Sequence, residues 1–356
     1  MVNFTILAGG YDVFIAAYSF FAEGSSLTLL NKYPTGPNPS WVTGHPLLKN
    51  TIYAVNENAQ GALQSFLVDE NGVLSHPFST VPSGGDSPAF TVALATGEVA
   101  VMNYGSGNGR IIPAVGPLLI DSAPNITFTP PPNGVSHPHM TLAFGNELFI
   151  PDLGADTIWR LGRDGLLGHY KVHGALPQPQ GSGPRHIAIY GDRLFTLHEL
   201  ASTLTVQTIP SDPNTASPLI ASVSIVPSDV PAGSKWAAAE ILIPEPCDEF
   251  PTPYIYVSNR NTGTGLDPRG DTIAIFEHVN VGQPNEGLQL VKQVYTGLQQ
   301  IRGMEFSPAP SEYLIASGVV GSGGVVMLCR TEQGRNLEIV TRNLDIPTRT
   351  SFHWLP

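Results

Sequence analysis

Leu194-Phe-Thr-Leu-His-Glu199 is a short run of strand-forming residues that stops on polar side chains, and the chain repeats it. Ile52-Tyr-Ala-Val-Asn-Glu57, Val99-Ala-Val-Met-Asn-Tyr104, Leu148-Phe-Ile-Pro-Asp-Leu153 and Ile255-Tyr-Val-Ser-Asn-Arg260 follow the same plan. Ahead of each run lies another β-type segment, and these segments begin at Asn38-Pro-Ser40, Ser87-Pro-Ala89, His137-Pro-His139, Gly183-Pro-Arg185, Ala238-Ala-Glu240 and Gln300-Ile-Arg302. Their third residues are spaced by 49, 50, 46, 55 and 62 residues. The longest interval contains the Pro/Asp-rich stretches near Pro244–Pro253 and Thr262–Arg269, which read as surface loops. Several short strands recurring at such a period are the signature of a β-propeller. Six units are visible. The strands at Phe4–Ala8 and Phe14–Phe20, with a C-terminal strand near Ser351–Leu355, supply a seventh. The expected fold is all-β: one domain over residues 1–356, a seven-bladed propeller of four-stranded antiparallel blades whose ring is closed by both termini.

Composition agrees. Charged residues make up 13% of the 356, against a typical ~25%, while 37 Gly and 33 Pro favour turns over long helices. With 17 basic and 29 acidic residues the formal net charge is -12, which argues against a nucleic-acid partner, because phosphate affinity comes from Lys and Arg. Two cysteines, Cys247 and Cys329, do not make a disulfide scaffold, and a reducing compartment is the simpler expectation. Met1-Val2-Asn3-Phe4 has no basic n-region, and the apolar stretch Val13–Phe21 is flanked by Asp12 and Glu23. Neither a signal peptide nor a membrane span is expected, and the location expected is cytoplasmic. Asn3-Phe-Thr and Asn125-Ile-Thr match the glycosylation sequon by chance.

In a propeller the innermost strands line a central channel, so residues at one repeat position converge there although ~50 positions separate them in the chain. The first register brings Ser40, Ala89, His139, Arg185, Glu240 and Arg302; the second brings Asn56/Glu57, Asn103/Tyr104, Asp152/Leu153, His198/Glu199 and Asn259/Arg260. Charges are costly to bury unless they are paired or meet a ligand. A purely structural network would pair Arg185 with Glu199 and Arg260 with Glu240. Arg302 makes a third cation, and three arginines in an acidic protein suit a carboxylate, phosphate or oxyanion.

The ordered motifs His137-Pro-His139, Leu148-Phe-Ile-Pro-Asp-Leu-Gly-Ala-Asp156, Gly183-Pro-Arg-His186, Leu197-His-Glu-Leu-Ala-Ser202, Ala239-Glu-Ile241, Tyr256-Val-Ser-Asn-Arg260 and Arg302-Gly303 resemble the seven-bladed lactonase family. That family includes propeller 6-phosphogluconolactonases and fungal 3-carboxy-cis,cis-muconate lactonizing enzymes, and the similarity runs over about residues 36 to 330. The resemblance implies catalytic roles for His139, Arg185, Glu199 and Arg260. Around them Arg302, Glu240, Asp152, Asn103, Asn259, His198 and Glu57 are expected to bind substrate. His198 stands where the family often has Asn, and the usual Asp-Gly hairpin turns are largely missing. No phosphate-specific motif is visible.

The expected activity is a lactonase acting on a small carboxylated or sugar-type lactone, without cofactor or metal. Arg185 and Arg260 would bind the substrate carboxylate or oxyanion, Glu199 would act as general base or proton shuttle, and His139 as acid/base near neutral pH. The same constellation could run a muconate-type cyclisation in the reverse sense. Two further readings compete: a divalent-cation lactonase with Glu199, Asp152, Asn103 and Asn259 as oxygen ligands, and a non-catalytic propeller using Trp41, Trp159 or Trp236 as anchors for a protein partner.

Overall fold

The computed structural model describes residues 3–356, so Met1 and Val2 of the N-terminal reading lie outside it. Seven antiparallel sheets form a ring. The innermost strand of blade 1 is Ser351–Trp354, and those of blades 2 to 7 are Val42–Gly44, Pro88–Ala93, Leu142–Phe144, Pro184–Tyr190, Trp236–Leu242 and Gln299–Phe306. Blades 2 to 7 run from inside to outside in chain order. Blade 1 instead joins the C-terminal strand to Asn3–Gly9, pairing Ile6 with Trp354 and Leu7 with His353. The termini therefore close the ring as expected, and Ser26–Pro34 completes that blade. One 3-10 turn at Glu332–Gly334 is the only helix among the described residues, and no helix is long and apolar enough to cross a membrane.

The second strands read as unbroken apolar runs because both their faces are covered. In Thr51–Asn56 alternate residues separate: Ile52 and Ala54 pack toward blade 1, while Tyr53 and Val55 pack toward blade 3. Seven apolar clusters among the described residues fill the seven blade-to-blade interfaces, such as Phe195, Leu197, Val257 and Phe276 between blades 5 and 6. Full burial of one such aliphatic or aromatic side chain contributes roughly 1.5–3 kcal/mol.

The repeat register has a backbone cause. Asn38, Ser87, Gly183 and Gln300 each adopt positive φ at the turn into an inner strand. Two residues after Ser87, Gly183 and Gln300 the ladder slips, between Pro88 and Phe90, Pro184 and His186, and Ile301 and Gly303, and in blade 6 it slips between Ala238 and Ile241 without such a turn. Ala89, Arg185, Glu240 and Arg302 thus sit in β-bulges, which re-aim side chains away from the regular alternation. The ends of the second strands are tied to the same turns. The N–H groups of Glu57, Tyr104, Leu153 and Glu199 donate to the carbonyls of Asn38, Ser87, His137 and Gly183 at 3.0, 2.9, 3.0 and 2.7 Å.

Candidate active site

The bulges and strand ends meet at one mouth of the channel. Glu199 Oε2 lies 2.8 Å from Arg185 Nε and 2.8 Å from Arg260 Nη2, so one carboxylate oxygen holds arginines of blades 5 and 6. Arg185 is fully buried and donates to Ala239 O at 2.6 Å; Arg260 donates to Ala238 O at 2.8 Å. Arg302 meets Glu57 at 3.4 Å and lies over the Tyr11 ring. Tyr11 in turn donates to Glu57. Arg185 Nη2, Arg260 Nε and Arg302 Nε are buried donors without a hydrogen-bond acceptor among the described residues; Arg185 Nε touches Glu199 at an angle too bent for a hydrogen bond. Buried donors left in this state are costly unless a ligand oxygen meets them.

The electrostatics follow from that crowding. Burial works to raise the Glu199 carboxyl, but Arg185, Arg260 and Arg302 together outweigh it and hold the group below its ordinary range. Burial and the nearby Arg260 push Arg185 down to about 10. His139 is buried beside Tyr104, and burial, Arg185, His186 and the other two arginines keep its imidazole well below the usual histidine range. This corrects the expectation of a histidine titrating near neutral pH: His139 is neutral there. Held against both Arg185 and Arg260, Glu199 is an electrostatic anchor for the two guanidiniums.

Four residues read from the sequence as substrate-binding turn elsewhere. Asp152 accepts from Ser136 Oγ, Trp159 Nε1 and the N–H groups of His137, Gly154 and Ala155. Asn103 clasps Ser83 O and Asn108, Asn259 clasps Ile225 O and Thr272, and His198 meets Thr205. The reason is strand alternation: of each polar pair the first residue enters its own blade and only the second, Glu57, Tyr104, Glu199 or Arg260, faces the mouth. Glu240 also changes partner, since it pairs with His186 at 2.8 Å and not with Arg260. No group of three His, Cys, Asp or Glu side chains able to hold a metal ion occurs among the described residues.

His186 escaped the sequence reading because it follows the bulged Arg185 and so falls outside the register. Its ring meets Trp41 of blade 2 at 5.4 Å and Phe90 of blade 3 at 5.7 Å. Such contacts between non-adjacent blades occur only across the axis, so the three rings plug the channel under a polar mouth. The larger cavities open elsewhere: one of about 840 Å³ on the opposite face, between Asn3–Thr5 and Val68–Gly72, lacks the arginines. Convergent chemistry, not volume, marks the site.

The sequence matches the family model described as lactonase, 7-bladed beta-propeller, over residues 5–354. No curated protein matches it. Among solved structures, a protein from Lactobacillus plantarum superposes with a TM-score of 0.82 at 22% identity, covering 100% of both chains. The periplasmic gluconolactonase of Pseudomonas aeruginosa superposes with a TM-score of 0.82 at 20% identity, covering 100% of this chain and 99% of that one. A protein of Bacteroides fragilis, provisionally named a 6-phosphogluconolactonase, gives 0.81 at 19% identity over 99% and 98%. At such identities these likenesses speak to the fold.

Proposed function

Because the chain belongs to the seven-bladed β-propeller lactonase family, we propose that it hydrolyses the ring ester of a small sugar-type or singly carboxylated lactone at the mouth built around Glu199. The observation that carries this reading is the clasp of Arg185 and Arg260 on one oxygen of Glu199, with unpartnered N–H groups on both arginines, beside the buried His139.

Lactone hydrolysis needs donors where the carbonyl oxygen becomes an oxyanion and a base for the attacking water. Arg185 Nη2 and Arg260 Nε supply the donors. His139 accepts the proton as water adds to the carbonyl carbon; the bond to the ring oxygen then breaks, and that proton passes to the departing alkoxide, giving the open hydroxy acid. Glu199 holds the two arginines in place. Against the three guanidiniums stand the carboxylates of Glu57 and Glu199 at the mouth and Glu240 beneath it, so it is the N–H groups of the arginines left without an acceptor, and not a surplus of charge, that suit a developing oxyanion or a single substrate carboxylate. Both cysteines are free, in keeping with a reducing cytoplasm.

The test is proton release from a panel of sugar, phosphorylated, aromatic and carboxylated lactones, run with and without EDTA. Turnover of a sugar-type or carboxylated lactone that survives EDTA supports this reading. Absence of turnover on the whole panel, or loss in EDTA with rescue by Ca²⁺, would overturn it.

A further inference from the structure

His139, His186 and Glu240 come from blades 4, 5 and 6 and form a line beneath the arginines: His139 Nδ1 lies 3.1 Å from His186 Nε2, and His186 Nδ1 lies 2.8 Å from Glu240 Oε1. The direction of each hydrogen bond follows from the carboxylate at the end of the line. Glu240 Oε1 accepts from Ile241 N–H at 3.1 Å, and as a carboxylate oxygen it can only accept. His186 Nδ1 must then carry the proton that faces it. Both rings are buried among arginines and neutral, so His186 Nε2 is left as an acceptor. His139 Nδ1 must therefore donate to it, and the lone pair of His139 resides on Nε2. That nitrogen makes no hydrogen bond among the described residues. Trp41 and Phe90 stand edge-on to His186 at interplanar angles of 76° and 84°, fixing its plane and keeping water from the line.

We propose that Glu240 and His186 are positioning residues that hold His139 in its Nδ1–H tautomer and so present the Nε2 lone pair to the attacking water. This rests on the lactonase reading of the same site. The logic is that of a buried carboxylate orienting a catalytic imidazole, extended by one ring. It gives a reason for a buried His and Glu that bind no substrate themselves: each removes an ambiguity about where a proton sits.

The experiment is histidine ¹⁵N NMR on the full-length protein, followed by kinetics. In the wild type His139 should show a protonated Nδ1 and an unprotonated Nε2; a protonated Nε2 overturns the proposal, whether or not any variant folds. Glu240→Ala should mix the tautomers and lower kcat by on the order of 10²-fold, the scale of one positioned proton-transfer group, with KM nearly unchanged. Glu240→Gln, whose amide oxygen can keep both Oε1 contacts, should retain the tautomer and most of the turnover. Gln behaving no better than Ala, or Glu240→Ala turning over like the wild type while His139→Ala does not, refutes the positioning role and leaves the lactonase reading standing. Full turnover by His139→Ala would instead remove the reading on which it rests.

Discussion

Glu199 of blade 5 and Arg260 of blade 6 are joined across the blade boundary at 2.8 Å through the same carboxylate oxygen that touches Arg185. One oxygen therefore sets the separation of two guanidiniums, and buried N–H groups on both, Arg185 Nη2 and Arg260 Nε, make no hydrogen bond among the described residues. A carboxylate so placed keeps the arginines from drifting apart under mutual repulsion.

The acid limb of the activity profile follows from His139. Because burial and then the arginines lower its pKa, the free base is already present at neutral pH. Turnover should stay level from pH 8 down through about 6.5, the ordinary histidine value, and fall only in more acid solution. A pH-rate profile with its midpoint near 6.5 would contradict this assignment.

The buried histidines also set acid stability. Burial holds His198 and His353 at about 4, and lowers His139 and His186. In the unfolded chain these groups take up protons near 6.5, so between that value and about 4 the unfolded state binds more protons and folding stability falls as pH falls. Urea midpoints should decrease steadily across that window. A midpoint independent of pH from 6.5 to 4.5 would show that the imidazoles are not held neutral.

Glu305 carries the opposite sign. It lines a cavity of about 110 Å³ on the far side of the aromatic plug, where burial, with Glu240 adding, pushes its carboxyl up to about 8. The folded state then keeps a proton that the unfolded chain releases near 4.3, and the stability this confers is lost as pH rises toward 8. Glu305→Gln mimics the protonated form. Its Tm should exceed that of the wild type at pH 9, with the gap closing by pH 4.5; an equal gap at both pH values would sink the idea.

Asp152 separates structure from function. It accepts five hydrogen bonds, three of them from backbone N–H groups. Asp152→Ala should destabilise the protein by about 2–5 kcal/mol, the range for breaking a buried network, and leave kcat and KM of the folded fraction unchanged. A selective loss of turnover at wild-type stability would return Asp152 to the site.

These residues also show what the sequence made legible. Doubly covered strands leave an unbroken apolar run, and that run exposed the blades, their number and the closure by both termini. Arg185, Glu199, Arg260 and Arg302 were visible because charge at a core register is rare. Which member of each polar pair faces the mouth was not visible, since Asn259 and Arg260 differ only in the parity of an alternation whose phase the bulges reset. His186 was hidden for the same reason: the ladder slips beside it, between Pro184 and His186. The redirection of Glu240 from Arg260 to His186 depends on a bulge spanning Ala239 and Glu240, which no spacing rule announces.

The measurement that bears most directly on the mouth as the site of lactone hydrolysis is kcat for Glu199→Gln. The amide keeps the size of the side chain but removes the charge that holds Arg185 and Arg260 together, so the oxyanion donors lose their fixed separation. With far-UV dichroism and Tm close to the wild type, kcat on the preferred lactone should fall by roughly 10²–10³-fold, the scale of losing one preorganised oxyanion contact, with little change in KM. A folded Glu199→Gln protein that turns over every accepted lactone at the wild-type rate would contradict the account and leave the arginine clasp as a structural tie between blades 5 and 6.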